Sequence, residues 1–575
     1  MTYAPGTSAS TTTSTENYRA ARDQLLRLRE GHVQASAEFV WPDVGPNFNW
    51  AVDWFDVIAR GNDQIALWIV EEDGREQRIS YAEMSRVSDQ VATWMTQIGI
   101  RHGDHVMLML GNQVELWQAM LAIMKIGAVI MPTSTVLGAA DLEDRIIRGG
   151  VDHVLANGID ADKFDGIPGT YSRICVDGAV TGWLNFSDAY LVVPEAIQAV
   201  VGSHDPSLVY FTSGTTTKPK MVMHTQTSYP VGHLSTMFWL GLRPGDVHLA
   251  ISSPGWGKHA WSSFFSPWIA EATVFVFNYA RFDAKALLAQ LERAGVNTFC
   301  APPTVWRMLI QVDLTAKPSG MRELLSAGEP LNPEVIRQVE QHWGLTIRDG
   351  FGQTETTATI GNAPGSRLKA GSMGMPLPGV TVQLIDPITG DLADEGEICL
   401  DLSAKPANLM AGYHGDPDGT SEATRDGYYH TGDVASRDAD GYITFIGRTD
   451  DVFKSSDYKV SPFEVESVLL EHPAVAEAAV VPAPDETRLN IPKAYIFLAE
   501  GWEPTSDTAL AVLSHARSNL PAYMRVRRVE FFELPKTSSG KIRRVELRAR
   551  EDAAAAAGAT LPDEWRDDHF PELKR

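Results

Sequence analysis

The segment Tyr210-Phe-Thr-Ser-Gly-Thr-Thr-Thr-Lys-Pro-Lys220 combines a run of hydroxyl side chains with one glycine and two lysines. It begins in the apolar run 208–212, which predicts a strand. A loop of this composition can surround phosphate oxygens with hydroxyl groups, backbone N–H groups and ammonium charge. It is not the G-x-x-x-x-G-K-[ST] loop of the common NTPases, which the sequence lacks. A polar surface loop is the alternative, and the density of hydroxyls and lysines argues against it.

Three further glycine-containing polar segments also follow predicted strands. They are residues 253–259 (SPGWGKH), 327–330 (AGEP) and 349–355 (DGFGQTE). Ligands of open α/β sheets bind at the carboxyl ends of the strands. The four loops therefore predict one shared cleft.

The surrounding sequence predicts an α/β protein of more than one domain. From about residue 100 onward, short β-rich runs alternate with helix-like segments, which is typical of parallel sheets covered by helices. After about residue 372, strands with tight turns predict a smaller antiparallel β subdomain. Past Arg448 a further small α/β unit is expected, in which Ser506 is a candidate helix N-cap. Residues 1–16 and the chain from Asp552 onward are expected to be a disordered tail and a surface tail.

Composition excludes several classes of function. The 575 residues carry a formal net charge of −24, which argues against nucleic-acid binding and against docking on anionic lipid. No apolar stretch is long enough to span a bilayer, and the first residues do not resemble a signal peptide. The cysteines Cys175, Cys300 and Cys399 are far apart and form no CxxC motif. This pattern fits a reducing compartment, and we expect a cytoplasmic protein.

Four charged residues have a chemistry that suits a nucleotide site. Glu355 offers the carboxylate oxygen that Mg²⁺ prefers. Asp433 follows a Thr-Gly turn and can accept two hydrogen bonds from a ribose diol, although such an aspartate is often only a turn residue. Arg448 can pair with phosphate or ribose oxygens. Lys541 follows a glycine in a polar loop, and in isolation it would be read as a solvated lysine.

Taken together, these motifs resemble the adenylate-forming (ANL) superfamily of acyl-CoA synthetases, adenylation domains and firefly luciferase, and most closely the medium-chain acyl-CoA synthetases. The resemblance covers residues 45–550, and five strings carry it in order: YFTSGTTTKPK, GFGQTE, YHTGD, GRTDD and PKTSSGKIRR. It implies a large N-terminal domain (1–449) of two doubly wound parallel sheets plus a β subdomain. It further implies a small mobile C-terminal α+β domain (451–575) and a hinge at Asp450.

The resemblance also implies roles for individual residues. The phosphate loop would hold the pyrophosphate end of ATP through Thr212, Ser213, Gly214, Thr215, Thr216, Thr217, Lys218 and Lys220. The adenine would be lined by Gly328, Glu329, Pro330, Asp349, Gly350 and Phe351. Thr354 would contact the α-phosphate and Glu355 the Mg²⁺, while Asp433 would bind the ribose hydroxyls beside Arg448. Lys541 would bridge the acyl carboxylate and the ribose–phosphate oxygens, as suits a compact ammonium acting as a point charge. Coenzyme A would be bordered by Ser456, Asp457, Tyr458 and Arg488.

The sequence departs from the family pattern at several of these positions. Thr217 and Met221 stand where the phosphate loop usually has glycines, Asp457 stands where a glycine is usual, and Met524 replaces a lysine common near the CoA phosphates. Gly352 occupies a position that is tryptophan in acetate-specific relatives, so we expect it to leave room for a longer acyl group. Trp256 and His259 are further candidates for the acyl pocket.

The sequence therefore predicts an ATP- and Mg²⁺-dependent carboxylic acid–CoA ligase that forms acyl-AMP and pyrophosphate, then acyl-CoA and AMP. The expected substrate is a medium-chain, branched or aromatic carboxylate. One alternative is an acyl-AMP synthetase whose acceptor is a carrier protein or an amine. Another is a non-catalytic nucleotide- or acyl-binding protein.

Overall fold

The computed structural model describes residues 13–195, 197, 199–212, 218–314, 316–329, 331–369, 371–455, 458–485, 489–536, 542–557, 561 and 563–574. The α-helices within these ranges are α1 (Thr13–Arg27), α2 (His32–Glu38), α3 (Asp56–Ala59), α4 (Tyr81–Gln97), α5 (Val114–Ile126), α6 (Ala139–Gly149), α7 (His233–Leu240), α8 (Gly257–Ala260), α9 (Ser266–Ile269), α10 (Ala284–Arg293), α11 (Pro303–Leu309), α12 (Pro333–Trp343), α13 (Pro417–Ala423), α14 (Pro462–Leu469), α15 (Ser506–Asn519) and α16 (Arg544–Ala556).

The strands are, in chain order, β1 (Ile65–Val70), β2 (Glu76–Ser80), β3 (His105–Met109), β4 (Val129–Pro132), β5 (His153–Ala156), β6 (Ser172–Cys175), β7 (Leu184–Asn185), β8 (Pro206–Thr212), β9 (Lys220–Thr225), β10 (Val247–Ala250), β11 (Thr273–Phe277), β12 (Thr298–Ala301), β13 (Glu323–Ala327), β14 (Ile347–Gly352), β15 (Ala358–Gly361), β16 (Met375–Pro376), β17 (Val382–Ile385), β18 (Glu395–Asp401), β19 (Gly412–Tyr413), β20 (Tyr428–Arg437), β21 (Ile443–Arg448), β22 (Phe453–Ser455), β23 (Tyr458–Val460), β24 (Val475–Asp485), β25 (Leu489–Leu498), β26 (Arg528–Phe531) and β27 (Glu564–Arg566).

The chain divides into two compact units. The first contains Met1–Val382 and Leu400–Tyr429, and the second contains Gln383–Cys399 and His430–Arg575. Most of the antiparallel β subdomain therefore falls in the second unit. The domain boundary predicted at Asp450 remains a prediction.

Two mixed sheets form the framework of the first unit, as predicted. Sheet A has the order β16-β15-β14-β13-β12-β10-β11-β1-β2, and its strands from β14 to β1 run parallel. Sheet B has the order β19-β9-β8-β4-β3-β5-β6-β7, with a parallel run from β8 to β7. Strands such as β12 are buried along their whole length, which explains their continuous apolar sequence.

The helix α5 shows how the sequence encodes this core. Twelve of its residues are buried and ten of these are apolar, as expected of a helix enclosed by protein, while the other two are Gln118 and Lys125. It ends at Gly127, whose φ of 79° is a left-handed conformation that glycine adopts without strain. No helix in the described ranges has the length and apolarity needed to cross a bilayer.

The second unit is α+β, in agreement with the prediction. Sheet C has the order β17-β18-β20-β21, and sheet D has the order β24-β25-β26-β27. Helices α14 and α15 contribute to a core with β24 and β25, and the side chain of Met524 is buried in that core.

Three predictions about chain ends and caps are wrong. Residues 13–16 of the predicted disordered tail belong to α1, while residues 1–12 lie outside the described residues. The helix is held in place because Tyr18 is fully buried and donates to the Pro230 carbonyl at 2.9 Å. The C-terminal region is not a tail beyond Asp552, since α16 continues to Ala556 and β27 pairs with β26. Thr505, not Ser506, caps α15 by accepting from the Thr508 N–H.

Candidate functional site

Three of the four predicted loops lie side by side at the carboxyl edge of sheet A. Strands β10, β12, β13 and β14 are neighbours in parallel. Residues 253–259 follow β10, residues 327–330 begin at the last residue of β13, and residues 349–355 begin within β14 and run past its end at Gly352. The register pairs Ala327 with Gly350, so the segments that begin at these residues emerge next to each other. The fourth loop begins at the end of β8 in sheet B, where Thr212 pairs with Lys220.

A buried histidine connects the two sheets at Thr354. His224 in β9 donates from Nε2 to the Thr354 carbonyl at 2.7 Å, and its Nδ1 accepts from the Ser228 hydroxyl at 2.9 Å. Its ring stacks on Tyr229 with a centroid distance of 3.9 Å. Burial lowers the pKa of His224 to about 3, so the ring is neutral and this hydrogen-bond arrangement persists at physiological pH. His224 was not predicted from the sequence.

Glu355 is held by a tyrosine from sheet B. The Tyr413 hydroxyl donates to Glu355 Oε1 at 3.1 Å, and the Met410 N–H donates to the Glu355 carbonyl at 2.8 Å. The Lys220 ammonium lies 4.5 Å from the centroid of the Tyr413 ring. Tyr413 therefore brings the predicted metal ligand and a predicted phosphate ligand together. One carboxylate beside a phosphate loop is the ligand set that Mg²⁺ uses with nucleotides, so these residues fit the ion.

The outer side of the phosphate loop contacts α6. Lys218 Nζ lies 3.2 Å from Asp144 Oδ1, and Arg148 donates to the Pro219 carbonyl at 2.8 Å. The central loop residues Ser213, Gly214, Thr215, Thr216 and Thr217 lie outside the described residues, so their roles remain predictions.

The predicted adenine residues Gly328, Glu329 and Pro330 follow β13, whereas Asp349, Gly350 and Phe351 lie within β14, which continues to Gly352. Asp349 is buried, and its Oδ1 accepts from the Gly350 N–H at 2.9 Å. Burial raises the pKa of Asp349 to about 7, against the opposing effects of two backbone N–H groups and the Lys258 charge. Gly328 is exposed with φ of 108°, while Glu329 and Phe351 are half-buried. Pro330 lies outside the described residues.

Asp349→Asn should change the pH dependence of stability. Because the folded-state pKa is raised above the ordinary 3.8, the carboxylate destabilises the folded protein as pH rises from about 4 to about 7. The neutral amide lacks this effect, so the stability of the variant relative to wild type should increase by about 4 kcal/mol between pH 4 and pH 8. Denaturation midpoints measured across this range test the prediction, and parallel pH profiles would contradict it.

The prediction that Gly352 leaves open room for an acyl tail is wrong. A Cβ at Gly352 would overlap the Thr357 carbonyl oxygen and lie 2.6 Å from Cη2 of Trp261. Trp261 begins a π-helical turn, Trp261–Phe265, and its Nε1 donates to the Tyr229 hydroxyl at 2.8 Å. The glycine is therefore needed for close packing, and the indole of Trp261 fills the adjacent space. Glycine in a sequence shows that a side chain is missing, but not what occupies the space.

Gly352→Ala should therefore destabilise the protein by about 1–3 kcal/mol, as overpacking usually does. Gly111→Ala is the matched control, because a Cβ there meets no atom within 4 Å and its φ lies outside the left-handed range. The control should stay within about 0.5 kcal/mol of wild type. Urea denaturation gives the free energy of unfolding of both variants. Equal values would contradict the prediction, because they would show that β15 shifts to accommodate the added Cβ at little cost.

The other acyl-pocket candidates differ in exposure. His259 is buried with Nε2 3.2 Å from Asn112 Oδ1, and its ring lies against Trp117. Burial lowers the pKa of His259 to about 3, so it is a neutral, packed histidine. Trp256 is half-exposed and precedes α8.

In the second unit, Asp433 and Arg448 face each other across β20 and β21. Their register pairs them directly, and Arg448 NH1 lies 3.3 Å from Asp433 Oδ1. Arg448 Nε also lies 3.5 Å from Asp450 Oδ1. The two predicted ribose ligands and the predicted hinge residue thus form one charged group.

Several predicted residues lie outside the described ones: Lys541, Ser456, Asp457 and Arg488. For Tyr458 only the backbone is described, as the start of β23. The described residues Lys536 and Ile542 form an isolated β-bridge. Next to it, Arg544 makes two hydrogen bonds of 2.6 and 3.0 Å with the buried carboxylate of Glu466.

Comparison with known proteins agrees with this architecture. The family model of the AMP-binding enzymes matches residues 54–414, and that of the AMP-binding enzyme C-terminal domain matches residues 464–541. The chain is 42% identical over 530 residues to 4-hydroxybutyrate–CoA ligase 1 of Metallosphaera sedula, covering 90% of this chain and 93% of the relative. It is 36% identical over 526 residues to the human mitochondrial acyl-coenzyme A synthetase ACSM3, covering 88% and 90%. The crystal structure of the anthranilate CoA ligase AuaEII with anthranoyl-AMP is similar with a TM-score of 0.81 and 28% identity, covering 89% of this chain and 99% of that structure.

Proposed function

Since the chain belongs to the family of AMP-binding enzymes, we propose that it is an AMP-forming acid–thiol ligase that converts a carboxylic acid, ATP and coenzyme A into acyl-CoA, AMP and pyrophosphate. The observation that carries the proposal is the grouping of Thr354, Glu355, Tyr413 and Lys220, in which two sheets bring a carboxylate and an ammonium group to the end of a hydroxyl-rich loop.

The first half-reaction forms an acyl adenylate. A carboxylate oxygen of the acid attacks the α-phosphorus of ATP, and the bond from that phosphorus to the bridging oxygen breaks, so that pyrophosphate leaves. Both reactants are anions, so cationic groups must neutralise charge as they approach. We assign this role to Lys220, Lys218 and Lys541. Glu355 would hold a Mg²⁺ ion, which supplies positive charge to the phosphate oxygens when bound.

The second half-reaction transfers the acyl group to coenzyme A. The thiol sulfur attacks the acyl carbon, the mixed-anhydride bond breaks, and AMP leaves with the oxygen that came from the acid. Asp433 and Arg448 are proposed to bind the ribose, and the glycine-containing loops after β13 and β14 to bind the adenine. The CoA contacts of Ser456, Asp457, Tyr458 and Arg488 rest on family resemblance.

The names of the relatives guide the choice of acids to test as substrates. The names of the relatives include ligases for 4-hydroxybutyrate, a short hydroxylated acid, and for anthranilate, an aromatic acid. The medium-chain, branched or aromatic class proposed from the sequence overlaps with these only in part. Substrate tests should therefore include short hydroxy acids.

Two assays test the proposal and separate it from its rivals. Pyrophosphate exchange into ATP that depends on the acid reports the first half-reaction, and AMP release stimulated by coenzyme A reports the second. Exchange without CoA stimulation would indicate a carrier-protein or amine acceptor. Nucleotide binding without exchange, across a panel of aliphatic, hydroxylated and aromatic acids, would indicate a non-catalytic protein.

A further inference from the structure

We propose that Lys258 binds a second polar group of the acyl substrate, at the end away from the reacting carboxylate, so that the enzyme selects carboxylic acids with a terminal hydroxyl or a terminal carboxylate. The inference rests on the proposed function and names the substrate class of the same site. Lys258 is in α8, within the glycine-containing loop that follows β10.

The ammonium of Lys258 lies at the carboxyl edge of sheet A. Its Nζ donates to the Ala327 carbonyl at 3.0 Å, and Ala327 is the last residue of β13, paired with Gly350 of β14. Its charge also acts on Asp349 of β14, where it opposes the effect of burial on the pKa. Lys258 therefore reaches across the strand ends where ligands of such sheets bind.

Among the described residues Lys258 has no carboxylate at ion-pair distance, unlike the fully buried lysines of this chain. The buried Lys125 lies 2.8 Å from Asp56 and 2.6 Å from Asp89, and the buried Lys493 lies within 2.8 Å of three glutamates. For the half-buried Lys258, the part of the chain that the structure describes offers the Ala327 carbonyl and no carboxylate at ion-pair distance. An ammonium has three N–H donors, so the site has donors to spare for a substrate oxygen.

The backbone of Lys258 lies close to Thr354. A Cβ at Gly257 would lie 3.3 Å from Thr354 Oγ1 and 2.9 Å from the Tyr229 hydroxyl, so Gly257 is next to the proposed reaction centre. Lys258 follows it directly, which places the base of its side chain at most about 9 Å from the Thr354 hydroxyl. The proposal places the reacting carboxylate of the acid at Thr354 and its other polar end at the ammonium, and a series of acids of different chain length measures the distance between the two.

This arrangement should discriminate between acids by hydrogen bonding. A terminal hydroxyl or carboxylate gains a charge-assisted hydrogen bond, while a terminal methyl group leaves the ammonium partly desolvated without a partner. A site built to hydrogen-bond a substrate rejects the analogue that lacks the polar group. For one half-buried ammonium we expect a preference of about 10- to 100-fold in kcat/KM.

The test compares matched acids in wild type and in Lys258→Met, which keeps the side-chain length but not the charge. The four-carbon series is butyrate, 4-hydroxybutyrate and succinate. The five-carbon series is pentanoate, 5-hydroxypentanoate and glutarate. Wild type should prefer the acids with two polar ends, and Lys258→Met should lose that preference while its KM for ATP stays unchanged. Lys285→Met, an exposed lysine at the start of α10, is the control and should behave as wild type.

Two results would overturn the inference. One is an unchanged ratio between polar-ended and plain acids in Lys258→Met. The other is an equal loss for all acids together with a raised KM for ATP, which would assign Lys258 to the nucleotide. Thermal unfolding in the presence of ATP and each acid gives a second readout that needs no turnover. If no acid is turned over, the proposed function fails, while selective stabilisation of wild type by polar-ended acids still decides the role of Lys258.

Discussion

Replacing Lys541 with alanine is expected to reduce acyl-AMP formation by about 10²–10³-fold, the scale seen when one group that stabilises transition-state charge is removed. Thioester formation from supplied acyl-AMP should be largely preserved, because pyrophosphate has already left in that half-reaction. Single-turnover assays of the two half-reactions, run separately, measure the difference. The family resemblance assigns Lys541 to the first half-reaction alone.

Lys536→Ala is the control for this experiment. Lys536 precedes the same segment and pairs with Glu477 at 2.7 Å, so its loss perturbs the neighbourhood without removing the proposed catalytic charge. We expect both half-reactions of this control to stay close to wild type. An equal loss of both half-reactions in Lys541→Ala would show that the substitution disturbs the C-terminal region as a whole.

Replacing Glu355 with glutamine should reduce acyl-AMP formation by about 10²-fold, because the amide keeps the shape but loses the charge that holds the metal. The Mg²⁺ concentration needed for half-maximal rate should rise at the same time. Tyr413→Phe is the matched variant, since it removes the hydroxyl that donates to Glu355 and leaves the carboxylate in place. Loss of one such hydrogen bond should reduce the rate only about 5-fold.

A Mg²⁺ titration of the initial rate distinguishes the two roles of Glu355. If Glu355→Gln lowers the rate at every Mg²⁺ concentration by the same factor, Glu355 shapes the loop through its contacts and does not bind the metal. If Tyr413→Phe lowers the initial rate as much as Glu355→Gln does, the position of the Glu355 carboxylate matters more for the rate than its charge.

The sequence predicted those parts of the site that lie in local motifs. The strand before Thr212, the glycine-containing loops after β10, β13 and β14, and the α/β class all follow from composition and order along a short stretch. The contacts of Thr354 and Glu355 did not follow, because His224 and Tyr413 belong to sheet B and are distant in sequence. The packing of sheet A against sheet B determines which residues contact Thr354 and Glu355, and no local sequence pattern encodes that packing.

The errors have a similar physical origin. The N-terminal segment has a polar, Ser/Thr-rich composition, yet α1 is held by Tyr18, whose hydrogen bond to Pro230 joins residues 212 positions apart in the sequence. Gly352 was expected to leave space, and the Trp261 indole occupies it. In both cases a contact between an aromatic side chain and a residue distant in sequence decides the outcome.

The central claim is that the acid is activated as an acyl adenylate, and isotope transfer tests it most directly. The enzyme is incubated with ATP, coenzyme A, Mg²⁺ and an acid labelled with oxygen-18 in its carboxylate, and the nucleotide product is analysed by mass spectrometry. Formation of an acyl adenylate predicts AMP that carries one labelled oxygen per acyl-CoA formed, together with unlabelled pyrophosphate. ADP as the main nucleotide product, or AMP without label, would contradict it.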